Sequence, residues 1–457
     1  MNRIDHHGPG HDGTDHDGRD PLQGNLDQIG AAPPAVAGAV GAVRDWLGTT
    51  FASLGVRNYR LFYIGQGVSL VGTWVRRTAM GWLVYQLTGS TALLGMVMGL
   101  ATFPMFVLSP WAGSIADRVD KRRMLVATQV AATLFSGLIA VLVLTGRIQV
   151  WSLAVLATAS GVAFAFEMPA RQAFIVELVG RERLMNAIAL NSGLVNLSRI
   201  FGPAIAGVVM GTLGMGFCFT IDAASYLVVI VTLLTLSLPE FHPQPRRGSE
   251  WQALLEGARE AHRNRRVRVL LLLLFLVGAF GWSFQTLMPA IAPDHMHLDA
   301  TRYGVLMSMF GVGAIFGALF VAGRKEGGSR RRQVFGSVWL MTGGIYLVAL
   351  LGWLLGARPA SFWAVSGALM LTGLGAVIFM STANTLVQTS VADRIRGRIM
   401  GLWAVGFGGS LPLGAFLAGI VAERISPFAT ITLFATVLLV ASLVVYRSLP
   451  PRSEARP

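Results

Sequence analysis

Charge is scarce in this chain. Only 13% of its 457 residues are Asp, Glu, Lys or Arg, against about 25% in a soluble domain. Half the usual charge removes most of the solvated surface that a water-soluble globule needs, so lipid is the main solvent. Cysteine is nearly absent: Cys218 stands alone, which rules out an intrachain disulfide, and its apolar surroundings read as a small buried thiol. No HExxH, P-loop or CxxC occurs, and no nucleophile–base set stands out. An enzyme is therefore disfavoured, and neither a cofactor nor a metal centre is expected. A secretory signal is missing too, because residues 1–30 are polar, rich in Gly, His and Asp, and have no apolar core. His6, His7 and His16 with Asp12, Asp15 and Asp17 could hold a metal weakly, but the composition is that of a disordered tail. The apolar stretch at 35–43 falls far short of the roughly 20 residues a membrane span requires.

What remains is grease and arginine. Hydrophobic residues make up 53% of the chain, and mean hydropathy is +0.59. Lipid offers no partner to free backbone groups, so spans must be helices or closed barrels. The long continuous apolar runs predict helices at 59–86, 92–115, 123–145, 150–170, 187–212, 216–238, 267–292, 302–323, 333–356, 361–388, 399–422 and 427–447. With the N-terminus placed in the cytoplasm, the inner connections collect the cations: Arg118 to Arg123, Arg171 to Arg183, Arg246 to Arg268, Arg324 to Arg332 and Arg394 to Arg398. The outer ones hold Arg147, Arg302, Arg358 and Arg424, one each. This positive-inside alternation predicts orientation, an even number of spans and both termini in the cytoplasm. It also accounts for the net charge of +14 without nucleic acid, as a topology signal at an anionic leaflet.

The connection at 239–266 is the longest. It opens with Pro239, Pro243 and Pro245 and continues into an amphipathic piece near Trp251–His262. The expected organisation is a polar tail at 1–50, a six-helix bundle at 51–238, a cytoplasmic linker at 239–266, a second bundle at 267–448 and a short tail at 449–457. The bundles look duplicated. Gly95, Lys121, Arg122 and Arg123 recur 209 residues later as Gly304, Arg330, Arg331 and Arg332, with Asp117 answered by Glu326. Gly202 and Gly207 recur 212 later as Gly414 and Gly419, and Arg181 and Arg183 recur 213 later as Arg394 and Arg396. Repeats of this kind place a pathway at their interface, near the midplane.

Gly113-Ser-Ile-Ala-Asp117-Arg118-Val-Asp-Lys121-Arg122-Arg123 closes the second span. Gly113 would let a neighbouring helix approach closely. Asp117 could pair with the basic turn, with Arg171, or with the positive end of a facing helix; a solvated loop that only sets topology is the bland alternative. The stretch resembles the loop signature of the major facilitator superfamily, G-x-L-A-D-R-x-G-R-[KR]-x, with Ile115 for the leucine and Asp120 for the second glycine. Arg57–Phe62, Trp82–Ser90, Pro169–Ala173 and Asn196–Pro203 look like the branch of the enterobactin-exporter type, the transmembrane secretion effectors. The resemblance covers residues 51–448. It implies twelve transmembrane helices in two pseudo-symmetric six-helix bundles, and proton-driven export of small molecules such as drugs or siderophores. It also implies a multi-pass place in the bacterial inner membrane. Ser198-x-x-x-Gly202-Pro203-x-x-Ala206-Gly207 resembles the antiporter motif of the same superfamily. There Gly202, Pro203 and Gly207 would form a leak-tight hinge, or plain small-residue packing.

A charge at the midplane costs about 2.5–3.5 kcal/mol on insertion scales, so such residues are paired or functional. The chain has Arg76, Arg77, Glu167, Arg199 and Asp222 within spans. Glu167 and Arg171 lie four apart on one helix face, and either neutralise each other or let Glu167 exchange a proton during transport. Asp222 can reach Arg77 or Arg199 from a neighbouring helix, for structure or for coupling. Arg76 points about 100° from Arg77, so only one of the two can face inward easily. In the superfamily, spans one, four, seven and ten line the cavity. Carried onto this chain, the polar and aromatic candidates are Gln66, Trp74, Arg77, Phe164, Glu167, Trp282, Gln285, Asn384 and Gln388. They would suit an amphipathic or aromatic solute.

The reading that results is a monomeric, proton-coupled exporter working by alternating access, with a small-molecule substrate, protons and membrane lipids as its partners. Its cytoplasmic Asp–Arg clusters would lock the outward-facing state. An importer or lipid flippase on the same fold, and a sensor that transports nothing, are the alternatives.

Overall fold

A computed structural model of the protein describes residues 51–237, 250–324 and 329–448; within its helices, the side chains at 110, 117, 250–254, 393 and 394 fall outside the description. The His/Asp-rich tail, the proline-rich opening of the linker, Lys325 to Gly328 and the C-terminal tail also lie outside the described residues. The described residues from Ser53 onward form one compact unit.

Every expected span is a helix: α1 Arg57–Thr88, α2 Thr91–Arg118, α3 Lys121–Leu144, α4 Val150–Val179, α5 Leu184–Thr212, α6 Met215–Thr235, then α7 Arg265–Asp294, α8 Ala300–Ala322, α9 Arg330–Leu355, α10 Pro359–Thr389, α11 Asp393–Arg424 and α12 Pro427–Ser448. A linker helix, Glu250–Arg263, precedes α7. Eleven of the twelve are long and apolar enough to cross a membrane, counting only described residues. α1 is the exception, since Arg57, Arg60, Arg76 and Arg77 dilute its hydropathy. α4 runs nine residues beyond its predicted end. The Glu167–Arg171 pair is satisfied inside the helix, and the turn stops only where Gly180 takes φ 69°, open to a residue without Cβ.

The duplication is written in the helix starts. Ser90 accepts the Leu93 N–H to begin α2, and Asp299 accepts the Arg302 N–H to begin α8. Asp120 does the same for Arg123 in α3, and Ser329 for Arg332 in α9. Both pairs keep the 209-residue offset, and each side chain satisfies a donor that a helix start leaves open. Asp120 therefore serves as a helix cap where the superfamily signature has glycine.

The halves meet at two crossings built from the repeated glycines. A Cβ on Gly95 of α2 would lie 2.4 Å from the Ala415 carbonyl and 2.8 Å from Gly419 Cα of α11. A Cβ on Gly304 of α8 would lie 2.3 Å from the Pro203 carbonyl and 2.6 Å from Gly207 Cα of α5. Backbones can come this close only where both helices lack side chains. A threonine hydroxyl seals each crossing: Thr91 donates to the Gly419 carbonyl at 3.1 Å and Thr301 to the Gly207 carbonyl at 3.2 Å. The remaining glycines of the repeat hold each half together, Gly202 against Trp74 of α1 and Gly414 against Ala279 of α7.

Both crossings lie toward the face opposite the basic connections. Contact runs from Thr91–Glu423 to Phe106–Gly409 along α2 and α11, and from Gly211–Thr301 to Arg199–Gly311 along α5 and α8. Nearer the basic face, positions equivalent to a Cβ on Gly113, Gly193, Gly397 and Gly406 meet nothing within 4 Å. The halves thus close on the opposite face and part toward the basic one. Midway along α7 the helix widens into a π turn at Val277–Gly281, a distortion that often marks functional positions.

Candidate functional site

The interior of the N-terminal half is built from charge. Arg76 Nε of α1 meets Asp222 Oδ2 of α6 at 2.9 Å. The same oxygen accepts the Ser136 hydroxyl of α3 at 2.7 Å, so one carboxylate ties three helices. Tyr226, one turn after Asp222, borders the pair and bonds Thr73 of α1 at 3.3 Å. Closer to the basic face, Arg171 Nη1 holds Glu167 Oε1 at 3.0 Å, and both side chains are buried. The Gln129 amide lies beside Glu167, with neither of its polar atoms in a hydrogen bond of good geometry. Each carboxylate has its own arginine, which is the arrangement that makes buried ions tolerable.

Two arginines remain. Arg77 and Arg199 both sit over the Trp74 ring, at 5.2 and 5.4 Å from its centroid. Trp74 is pinned from behind, because a Cβ on Gly202 of α5 would stand 2.3 Å from the Trp74 Cβ. The Arg199 carbonyl lies against Gly311 of α8, so this group occupies the junction of α1, α5 and α8, between the halves. Its guanidinium Nε is buried and makes no hydrogen bond. Arg77 is solvent-exposed although α1 is ringed by α2, α4, α5, α6 and α7. Its open side therefore faces the space between the halves.

Asp222 was expected to reach Arg77 or Arg199; Arg76 takes it instead. The expectation that only one of Arg76 and Arg77 could face inward is corrected as well. α1 has protein on several sides, so directions about 100° apart both lead inside, one into the bundle and one toward the axis between bundles. Glu167 and Arg171 meet as their spacing implies, which leaves Arg171 committed to Glu167. Of the basic loop, Lys121 pairs with Glu177 at 2.9 Å, Arg122 donates to the Leu234 carbonyl at 2.7 Å, and Arg118 and Arg123 are exposed. The Asp117 side chain lies outside the described residues. Among the described residues, a Cβ on Gly113 would meet nothing within 4 Å.

The cavity candidates separate. Gln66 is fully buried with an unbonded Nε2, so it belongs to the bundle interior. Phe164, Trp282 and Gln285 are half-buried. Trp282, just after the π turn, stands edge-on between Phe310 of α8 and Phe407 of α11. Asn384 accepts from Gln388 at 2.6 Å one turn away, near the basic end of α10. Gly202, Pro203 and Gly207 lie where α5 crosses α1 and α8.

The model of one protein family, described as transmembrane secretion effector, matches residues 48–456. The chain belongs to that family. Within the major facilitator superfamily it is similar to the staphyloferrin A transporter of Staphylococcus aureus, 24% identical over 85% of this chain and 95% of the relative. It is also similar to the enterobactin exporter EntS of Citrobacter koseri, 26% identical over 87% of this chain and 95% of that one. Among solved structures, the nucleoside transporter NupG superposes with a TM-score of 0.69 at 14% identity, over 86% of this chain and all of NupG; at that identity it shows the fold. The transmembrane secretion effector is thus a multi-pass membrane protein of transporter kind. Both relatives are transporters.

Several residues that pack around these buried charges and helix ends carry no mark in the sequence. Ser136 and Gln129 are unremarkable polar residues in an apolar helix, and nothing in their spacing marks them. Tyr226 was within reach, since it falls four residues after Asp222 on the same face. Opposite the basic face, Glu423 Oε2 at the end of α11 accepts the Thr91 hydroxyl at 2.9 Å, the Ala92 N–H at 3.0 Å and the Ser90 hydroxyl at 3.1 Å. Tyr85 of α1 donates to Asp294 of α7 on the same face. An acid beside a span end looks like any loop residue until the opposing helix start is known.

Proposed function

We propose that this protein is a proton-coupled exporter of a small amphipathic molecule, drug-like or siderophore-like, and that it works by alternating access in the bacterial inner membrane. The observation that carries the reading is the one-sided contact between halves: two symmetry-related glycine crossings closed on one face and, among the described residues, none near the other. With the basic face cytoplasmic, as the arginine distribution favours, both termini are cytoplasmic, and the arrangement corresponds to the state that loads from inside. In the opposite state the crossings part, and the room beside Gly113 is filled by a helix of the other half. Asp117 and the Arg118–Arg123 turn then lock the cytoplasmic side. The molecule acts as a monomer, its partners being the solute, protons and lipid.

Glu167 is the proton carrier in this reading. It is a buried carboxylate whose one strong partner, Arg171, lies on its own helix, so it can change state without moving another helix. Everted vesicles test this. With an imposed gradient, a panel of toxic compounds and iron chelators is screened for accumulation and for collapse of the proton gradient. At least one compound is expected to do both in wild type and to do neither with Glu167→Gln at equal protein level. Uptake that persists in Glu167→Gln, or that runs only down the compound's own gradient, overturns the coupling.

A further inference from the structure

We infer that the solute carries an acidic group, a carboxylate or comparable organic anion, and that Arg77 and Arg199 receive it beside Trp74. The inference rests on the export reading above and gives it a substrate class.

The argument is one of charge. Midway along the helices, the described residues of the N-terminal half bring four arginines and two carboxylates inside: Arg76, Arg77, Arg171 and Arg199 against Glu167 and Asp222. Arg76 is matched by Asp222 and Arg171 by Glu167. Among the described residues, no carboxylate pairs with Arg77 or Arg199. Contact with the Trp74 indole eases each guanidinium through the ring quadrupole, but the ring adds no net negative charge. Like charges held beside one indole, one open to the space between the halves and the other partly buried, raise the free energy of the empty site. A site that keeps such a pair is one in which an anion completes the structure.

Geometry gives the anion a place. Arg199 Nε is buried without a hydrogen bond, while Arg77 is open toward the space between the halves. One guanidinium is thus set back as an anchor and the other is reachable. A planar acid can take hydrogen bonds from such forks in pairs. The group lies where α5 meets α8 at Gly311, so an anion bound there touches the crossing that must part in the other state.

The test starts from protein purified in a neutral detergent. Thermal unfolding is followed with two matched pairs, 1-naphthoate with 1-naphthamide and 3-phenylpropionate with 3-phenylpropionamide. The acids are expected to raise the midpoint by a few degrees and the amides not. Arg77→Gln and Arg199→Gln each abolish the acid effect, while Arg199→Lys keeps part of it. A second readout needs no ligand: because Arg199→Gln removes an unmatched cation, the ligand-free variant unfolds no lower than wild type. Equal stabilisation by acid and amide, no stabilisation by either acid, or a lowered midpoint for ligand-free Arg199→Gln would each overturn the proposal. So would a response to phosphatidylglycerol in the micelles but to neither acid, which would make the pair a lipid site. Vesicle export separates the two readings. Acid binding without export sinks the exporter and keeps the anion site; export of neutral compounds undiminished in Arg199→Gln does the reverse.

Discussion

Where the N-terminal half has Asp222 holding Arg76, the C-terminal half has Phe434, 212 residues later, edge-on to Phe280 at 5.1 Å. Trp282 lies next to it, between Phe310 and Phe407. Among the described residues, every fully buried polar side chain of the C-terminal half is serine or threonine, whereas the N-terminal half buries Glu167, Arg171 and Asp222. Yet the frames match: the helix caps keep their 209-residue offset and the glycine crossings their 209 and 212. What duplication preserved is the part fixed by backbone contact, because a crossing at these distances accepts only glycine and a helix start needs a capping side chain. What diverged is the filling. Ions on one side and aromatics on the other satisfy packing equally well, so the interior was free to specialise.

The largest test of that contrast is Asp222→Asn. It strands Arg76 and should cost about 3–5 kcal/mol, read as a steep fall in folded yield and midpoint. Phe434→Leu at the matching position should cost roughly 1–2 kcal/mol. Arg76→Met together with Asp222→Leu should recover much of the stability, since an apolar replacement of a buried pair is often neutral. If Asp222→Asn proves harmless, the ion pair is not what orders the N-terminal bundle. Next come Gly95→Ala and Gly304→Ala. Each drives a methyl into backbone within 2.4 Å, and overpacking of this kind costs about 1–3 kcal/mol. The two should behave alike, raising cysteine labelling on the face opposite the basic loops; a difference between them would mean the crossings do not share the load.

Glu423→Gln is expected to act on one crossing only. Glu423 clasps the start of α2 through three donors, while Gly211 holds the matching place on α5. Loss of the charge weakens the α2–α11 contact, so labelling should rise beside Thr91 and not beside Thr301. The smallest effect belongs to the caps. Asp120→Ala and Ser329→Ala should each cost about 1 kcal/mol, by equal shifts in thermal midpoint. A much larger loss for Asp120 would give that turn a role beyond capping.

The helices, their number and the duplication were legible because each rests on a pattern repeated many times: apolar runs of span length, arginines on alternate connections, glycines at fixed offsets. The candidate site was legible only as a set of residue types. Glu167 with Arg171 could be read because both lie on one helix. Asp222 was assigned the wrong arginine, because its partner depends on how α1 is rotated among five neighbours, and α1 has almost no apolar face to reveal that rotation. Gln66 and Trp74, eight residues apart on α1, read alike in sequence. One is sealed in the bundle and the other carries two cations over its ring, held there by Gly202 on another helix. The clasp at Glu423 depends on a contact across 332 positions and left no local trace.

The polarity of α1 has a consequence for biogenesis. It is the first of the twelve to leave the ribosome, and the carboxylate that neutralises Arg76 arrives 146 residues later, on the order of 10 s at ordinary elongation rates. Until then the helix has little reason to stay in the bilayer alone. α2 to α6 are each apolar enough to insert alone, so the delay falls on α1: its final packing into the first bundle waits for α6 to emerge.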